Sequence, residues 1–206
     1  MRLRILALWL MLIAPTWGEV TAESIFARAR ALNPKLLDYS ANIEIRLRAR
    51  LGFIPYSPNL KGRYLHKRPD KHKLELENAP GYLKKYPNVF GFNLPDLERY
   101  NVLRIQYMRL RRLPVYKVML VPKTQMGDIT SLDVYVHRDN FTVPKYDTFY
   151  NKGHLFVDID FKEQEGFWLF DKMSAQFEFP SLTATADAQY QNYEFNKNLA
   201  DELFLQ

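Results

Sequence analysis

The chain is predicted to be mainly β, of the α+β class: one strongly curved antiparallel sheet forming an incomplete barrel, with short helices over its concave face. Three observations carry that expectation. From Leu37 to Leu51 every odd position is apolar or aromatic (Leu37, Tyr39, Ala41, Ile43, Ile45, Leu47, Ala49, Leu51), and every even position from Asp38 to Arg50 is polar. Side chains alternate faces along an extended chain, so this run is one long strand with a dry and a wet face. Further strand signals follow at hairpin spacing, which implies an antiparallel meander, and long one-sided strands in a meander curl. Finally, no long amphipathic helix is present to cover a sheet of this size.

The 206 residues open on a basic and then apolar segment. Arg2 and Arg4 precede the apolar run Ile5–Ala14, and small residues follow at Gly18 and Ala22. This order describes a secretory leader, and the run is shorter than the roughly 20 residues a spanning helix needs. Val20-Thr21-Ala22 is the preferred cleavage site, with Thr16-Trp17-Gly18 second. Residues 1–22 are therefore read as a signal peptide and 23–206 as one domain. With no cysteine, the chain has no lipid-modified Cys, no disulfide and no thiolate metal site.

Glu23–Leu32 reads as a short helix with Ile25, Phe26 and Ala29 on one stripe, capped by Thr21 or Ser24 and stopped at Asn33-Pro34. A helical turn over Lys35–Asp38 leads into the long strand. Two prolines make Ile54–Asn59 a turn. Leu60–His66 and Lys71–Glu77 are the next strands. Between Asn78 and Tyr100 the pattern breaks into turn signals, with a helical turn at Asp96–Tyr100. This stretch is long enough for a functional loop, and Tyr86, Phe90 and Phe92 are bulky enough to cover an opening. Strands resume at Leu103–Leu110, Tyr116–Pro122, Leu132–His137, Thr142–Tyr150, Leu155–Phe161, Phe167–Phe179 and Ser181–Asn196. A helical turn closes the chain at Leu199–Leu205.

Chemistry-bearing motifs are few. There is no nucleophile elbow, no phosphate-cradling glycine loop and no His-Glu-x-x-His, so an enzyme is not expected. His66 and His72 fall on adjacent strands, but a metal site needs further ligands. Asp158, Asp160, Glu163 and Glu165 match no calcium-loop spacing and read as a solvated strand face. Net charge is +6, and for an exported protein the expected anionic partner is a membrane surface rather than nucleic acid. The densest basic stretch, Arg104–Lys117, interleaves with Tyr107 and Tyr116 and also reads as a solvated face. The apolar faces, with Ile43, Ile45, Leu47, Val157, Ile159, Phe161, Leu169, Met173 and Phe177, form either a core or the lining of a cavity.

The string Gly62-Arg63-Tyr64-Leu65-His66-Lys67-Arg68-Pro69, followed by a strand, resembles the Lys-Arg-Pro corner of the LolA family of periplasmic lipoprotein carriers. The order of elements is also similar: export signal, short helix, long strand, this corner, strands, and a late aromatic strand ending Tyr193-Glu194-Phe195-Asn196. The resemblance implies an incomplete barrel closed by helices around a cavity for acyl chains. It makes Ile43, Ile45, Leu47, Tyr64, Leu74, Leu76, Val157, Ile159, Phe161, Leu169, Met173 and Phe177 cavity residues, and Arg68 the arginine that ties a helical lid to the barrel. No clear lid helix aligns, and Arg104–Lys117 has no obvious counterpart.

The resulting expectation is a soluble, monomeric periplasmic carrier of lipidated cargo, most simply lipoprotein acyl chains, working with membrane donor and acceptor proteins. It needs no cofactor and no metal. The alternatives are a periplasmic sensor of lipid or mislocalised lipoprotein, or a carrier of another lipid-like molecule.

Overall fold

The structure, a computed structural model, describes residues 20–51, 54–77, 90–91, 93–180 and 182–205. Most of the expected leader, and Tyr86 and Phe92, lie outside the described residues. Eleven strands form one antiparallel sheet: β1 (Asp38–Leu51), β2 (Ile54–Tyr56), β3 (Asn59–Lys67), β4 (Lys71–Leu76), β5 (Tyr100–Leu110), β6 (Leu113–Pro122), β7 (Ile129–His137), β8 (Lys145–Tyr150), β9 (Gly153–Gln164), β10 (Phe167–Phe179) and β11 (Leu182–Phe195). The order across the sheet is β4-β3-β1-β11-β10-β9-β8-β7-β6-β5, with β2 paired to the end of β1. The sheet is open, and β4 and β5 are its edges.

This order explains the broken pattern after Asn78. β4 ends at one edge and β5 begins at the other, so the connection between them must cross the molecule. Phe90 is 2 % exposed, and its carbonyl accepts a 2.6 Å hydrogen bond from the buried Tyr190 hydroxyl. Phe90 is thereby seated on the interior face of the sheet.

β1 follows the alternation, with Tyr39, Ala41, Ile43, Ile45 and Leu47 buried and Asn42, Glu44, Arg46 and Arg48 exposed. Its first turn departs from expectation. Leu37 lies outside the strand and is exposed while Leu36 is buried, and no helical turn forms at 35–38. Asp38 is buried because its carboxylate accepts the backbone N–H groups of Lys197 (2.8 Å) and Leu199 (3.3 Å). The returning tail therefore covers a position that alternation alone would leave wet.

The expected turn at 54–59 contains a short strand, β2, because Ile54–Tyr56 folds back to pair with Leu51, Arg50 and Ala49. Proline is tolerated in a strand that is not central to the ladder. Gly62, the first residue of the Lys-Arg-Pro string, pairs with Leu76, and a Cβ there would collide with the backbone carbonyl of Glu75. It is a glycine because β3 and β4 approach closely.

The α-helix of the described residues is α1 (Ala22–Arg30). Thr21 Oγ1 accepts the N–H of Ser24, and Ser24 Oγ accepts that of Thr21, both at 3.2 Å, closing a capping box. Ala22, Ile25, Phe26 and Ala29 recur at helical spacing and are buried in the same apolar cluster as the inward face of the sheet. Short 3-10 turns at Leu97–Arg99 and Asp201–Phe204 replace the other expected helical turns.

Candidate functional site

A cleft of about 460 Å³ opens beneath the C-terminal end of α1. Its apolar lining includes Leu32, Leu36, Tyr39, Phe141, Phe161 and Trp168, and Arg30, Asn33, His66 and Arg68 stand at its rim. The rim is a belt of hydrogen bonds from side chains to main chain. Arg68 donates from Nη2 to the carbonyl of Arg30 (2.9 Å) and from Nη1 to that of Asn33 (3.1 Å). Arg30 donates to the carbonyl of Pro95 (2.9 Å), and Asn93 to that of Asp70 (2.9 Å). The Asn33 side-chain carbonyl accepts the N–H of Trp168 (2.8 Å), and its amide donates to the carbonyl of Trp168 (2.7 Å).

The Arg68 geometry has a simple physical basis. The last turn of a helix leaves carbonyls without partners and carries the negative end of the helix dipole. A guanidinium is a planar fork of donors suited to two such oxygens. The helix is short, so Arg68 and Asn33 supply much of what fixes its trailing end. Asn33 can do so because its backbone sits at φ 57°, a left-handed conformation that asparagine tolerates.

Two further residues shape the mouth. Phe141 is held at φ 57°, unusual for a bulky residue, by a turn in which Asn140 Oδ1 accepts both the N–H (3.1 Å) and the hydroxyl (2.8 Å) of Thr142. The Arg28 guanidinium of α1 lies 5.2 Å from the centre of its ring. His66 stands directly opposite His72 in the β3–β4 register, its ring 5.0 Å from that of Tyr39. Burial, then the neighbouring His72 and Arg68, lower its pKa to about 4, with Asp38 and Asp70 acting in the opposite direction. His66 is therefore neutral near pH 7.

Of the residues named from sequence, Phe161 and Arg68 line this cleft. Ile43, Ile45, Leu47, Tyr64, Val157, Ile159, Leu169, Met173 and Phe177 are buried together in the interior, with Leu74 and Leu76 packed at its margin. Below the cleft the interior is aromatic: Tyr64 stands edge-on to Tyr190 at 5.7 Å, and Phe170 lies 5.5 Å from Tyr190. Gly91 presses on this cluster, where a Cβ would come within 2.7 Å of the Tyr64 hydroxyl.

Sequence reasoning missed Asn33, Asn93, Phe141 and Trp168. Asn33 read as a helix stop and Trp168 as one more residue of an alternating strand. Only the isolation of Trp168 as the sole tryptophan beyond residue 17 marked it out.

Elsewhere the acidic residues of β9 and its turn are dispersed. Asp158 pairs with Arg111 at 2.9 Å, and Asp160, Glu163 and Glu165 are exposed. Among the described residues no group of three or more His, Asp or Glu side chains is placed to hold a metal ion.

The sequence matches no protein-family model and no curated protein. Solved structures share the fold. A LolA superfamily protein from Nitrosomonas europaea superposes with a TM-score of 0.59 at 13 % identity, covering 91 % of this chain and 98 % of that one. A Vibrio parahaemolyticus domain described as an outer-membrane lipoprotein-sorting protein gives 0.61 at 12 % identity, over 87 % and 94 %. A DUF1329 family protein from Desulfovibrio piger gives 0.54 at 12 % identity, over 89 % and 96 %. The chain therefore has the LolA-like fold.

Proposed function

We propose that this protein is an exported, soluble binder and carrier of lipidated cargo, and that the cleft beneath α1 admits the acyl chain. The observation that carries this reading is the construction of the cleft. It has an aromatic and aliphatic lining, its volume lies within the roughly 300–1,000 Å³ of ordinary ligand sites, and a helix end covers it. Burying acyl chain supplies affinity at about 0.8 kcal/mol per methylene. Release requires only a state that holds cargo less well. The belt from Arg68, Asn33 and Arg30 to backbone carbonyls favours the closed, empty state, and no covalent step is needed. The likeness of fold to a lipoprotein-sorting domain supports lipoprotein acyl chains as the cargo, and the basic, apolar, small-residue leader supports export to the periplasm.

The test is binding by the chain beginning at Glu19, which keeps the Thr21 cap and the buried Ala22 of α1. A hydrophobic fluorophore should bind at one equivalent and be displaced by a dialkyl lipid, and mass spectrometry of protein from the exported fraction should find co-purified acyl lipid. A folded sample that shows no saturable binding and carries no lipid would leave the interior as core alone. Transfer of bound cargo to acceptor membranes separates a carrier from a sensor, which would bind without handing on.

A further inference from the structure

The basic hairpin β5–β6 has no role in the cleft. From Arg99 to Gly127 the chain carries seven basic residues (Arg99, Arg104, Arg109, Arg111, Arg112, Lys117, Lys123) and no Asp or Glu. Lys117 pairs with Asp133 at 2.8 Å and Arg111 with Asp158 at 2.9 Å. Among the described residues Arg104, Arg109 and Arg112 have no ion-pair partner.

β5 is a sheet edge, with β6 as its one neighbour among the described strands. An edge strand turns alternate N–H and C=O groups outward without partners. Its side chains are unusually bare: Val102 is 37 %, Leu103 63 % and Tyr107 55 % exposed, and Leu113 across the turn is 42 % exposed. The tip residues Arg111 and Arg112 sit at φ 48° and 75°. A two-residue turn of this kind normally takes asparagine or glycine.

Edge charges are an ordinary guard against pairing with a second copy, and arginines here do repel an identical edge. A guard does not account for the bare Leu103 and Tyr107 beside them, or for the lack of any acid over the whole hairpin. An edge with free backbone groups, apolar pockets and positive charge is complementary to an extended acidic strand.

We propose that β5 is a docking edge for an extended, acidic peptide segment of another protein, which adds to the sheet as a twelfth strand. Arg104 and Arg109 stand on opposite faces of β5, with Tyr107 on the face of Arg109. Carboxylates on both faces of the added strand would therefore meet the two arginines, while its small apolar residues would cover Leu103 and Tyr107. A bilayer surface would answer the charge, but it would leave the outward main-chain groups of the edge to water, whereas an added strand pairs them. The site is separate from the cleft and does not depend on what the cleft holds.

The test uses the chain from Glu19, which keeps the Thr21 cap of α1, and a blocked synthetic peptide with glutamates on both faces of the extended chain, set among valine and threonine. The peptide should bind with affinity that falls as salt rises, and hydrogen exchange should show β5 amides gaining protection. The same peptide with lysine for glutamate should not bind. The exposed double variant Arg104→Glu/Arg109→Glu should lose at least about tenfold in affinity while binding a fluorophore in the cleft as before. No protection of β5, or equal binding by the double variant, overturns the proposal. So does binding of phosphatidylglycerol vesicles through these arginines in the absence of peptide binding.

Discussion

Asn33 grips Trp168 through both polar atoms of its side chain, accepting from the backbone N–H at 2.8 Å and donating to the backbone carbonyl at 2.7 Å. An asparagine amide has the shape of a peptide unit, so it extends the ladder of β10 by one rung drawn from the α1–β1 connection. The same residue offers its main-chain carbonyl to Arg68. Helix end, strand corner and β10 therefore meet at one residue, and Trp168 reports on all three.

That report is measurable. The three tryptophans are Trp9, Trp17 and Trp168, so a chain beginning at Glu19 fluoresces from Trp168 alone. Cargo entering the cleft should shift its emission to the blue. Asn33→Gly keeps the left-handed backbone but loses both bonds, for a cost of about 1–2 kcal/mol. Asn33→Ala adds backbone strain and should cost about 1 kcal/mol more. An emission spectrum unchanged by saturating lipid would place cargo away from Trp168.

Arg68→Leu removes the two bonds to Arg30 and Asn33, and from a half-buried position should cost about 2 kcal/mol. Amide exchange in α1 should speed up, and on the proposed carrier reading cargo should be held at least as tightly but handed on poorly, because a closed empty state would have lost its latch. Arg68→Lys restores charge without the fork and should recover only part of the transfer rate. Arg63→Ala is the comparison: its guanidinium pairs with Glu194 and Ser40 on the wet face, so transfer should be unchanged. Equal transfer by wild type and Arg68→Leu removes Arg68 from the mechanism.

How much of this was legible depended on whether the signal was periodic. The alternation of β1, β9 and β10 located the inward faces, since a period of two has one explanation in an extended chain. The Gly62–Pro69 string pointed to the corner, and Arg68 lies at the rim of the cleft. Alternation could not show that Asp38 is buried, because that follows from the tail returning to it. Nor could it show that the 78–99 connection joins opposite sheet edges, which requires knowing that β11 pairs with β1. Asn33 and Phe141 escaped notice for the same reason: their roles rest on single backbone conformations and long-range bonds, which leave no repeat to read.

Stability should fall on acidification through His66. The folded protein keeps this imidazole neutral down to about pH 4, whereas the unfolded chain takes up a proton near the ordinary 6.5. Between those values the unfolded state binds more protons, so the contribution is complete above pH 6.5 and is lost as pH falls toward 4. The whole shift corresponds to about 3 kcal/mol, of which about 2 kcal/mol falls between pH 7 and pH 4.5. Urea unfolding at pH 7 and pH 4.5 measures it, and His66→Phe should lose correspondingly less over the same interval. An identical pH dependence in the variant would assign the acid sensitivity to carboxylates.

Phe141 separates a role in binding from a role in stability. A bulky side chain at φ 57° stores strain of the order of 1–3 kcal/mol, and such strain persists where the surrounding structure holds it. Asn140 and Thr142 hold it here, with the ring at the cleft mouth beneath Arg28. Asparagine adopts the left-handed conformation readily, so Phe141→Asn relieves the backbone while deleting the ring. Relief of the backbone and loss of a partly buried ring nearly cancel, so stability should change by less than about 1 kcal/mol, and if the ring meets cargo, fluorophore affinity should fall about tenfold. Thermal unfolding and fluorophore titration on the same sample decide it, and unaltered affinity would remove Phe141 from the site.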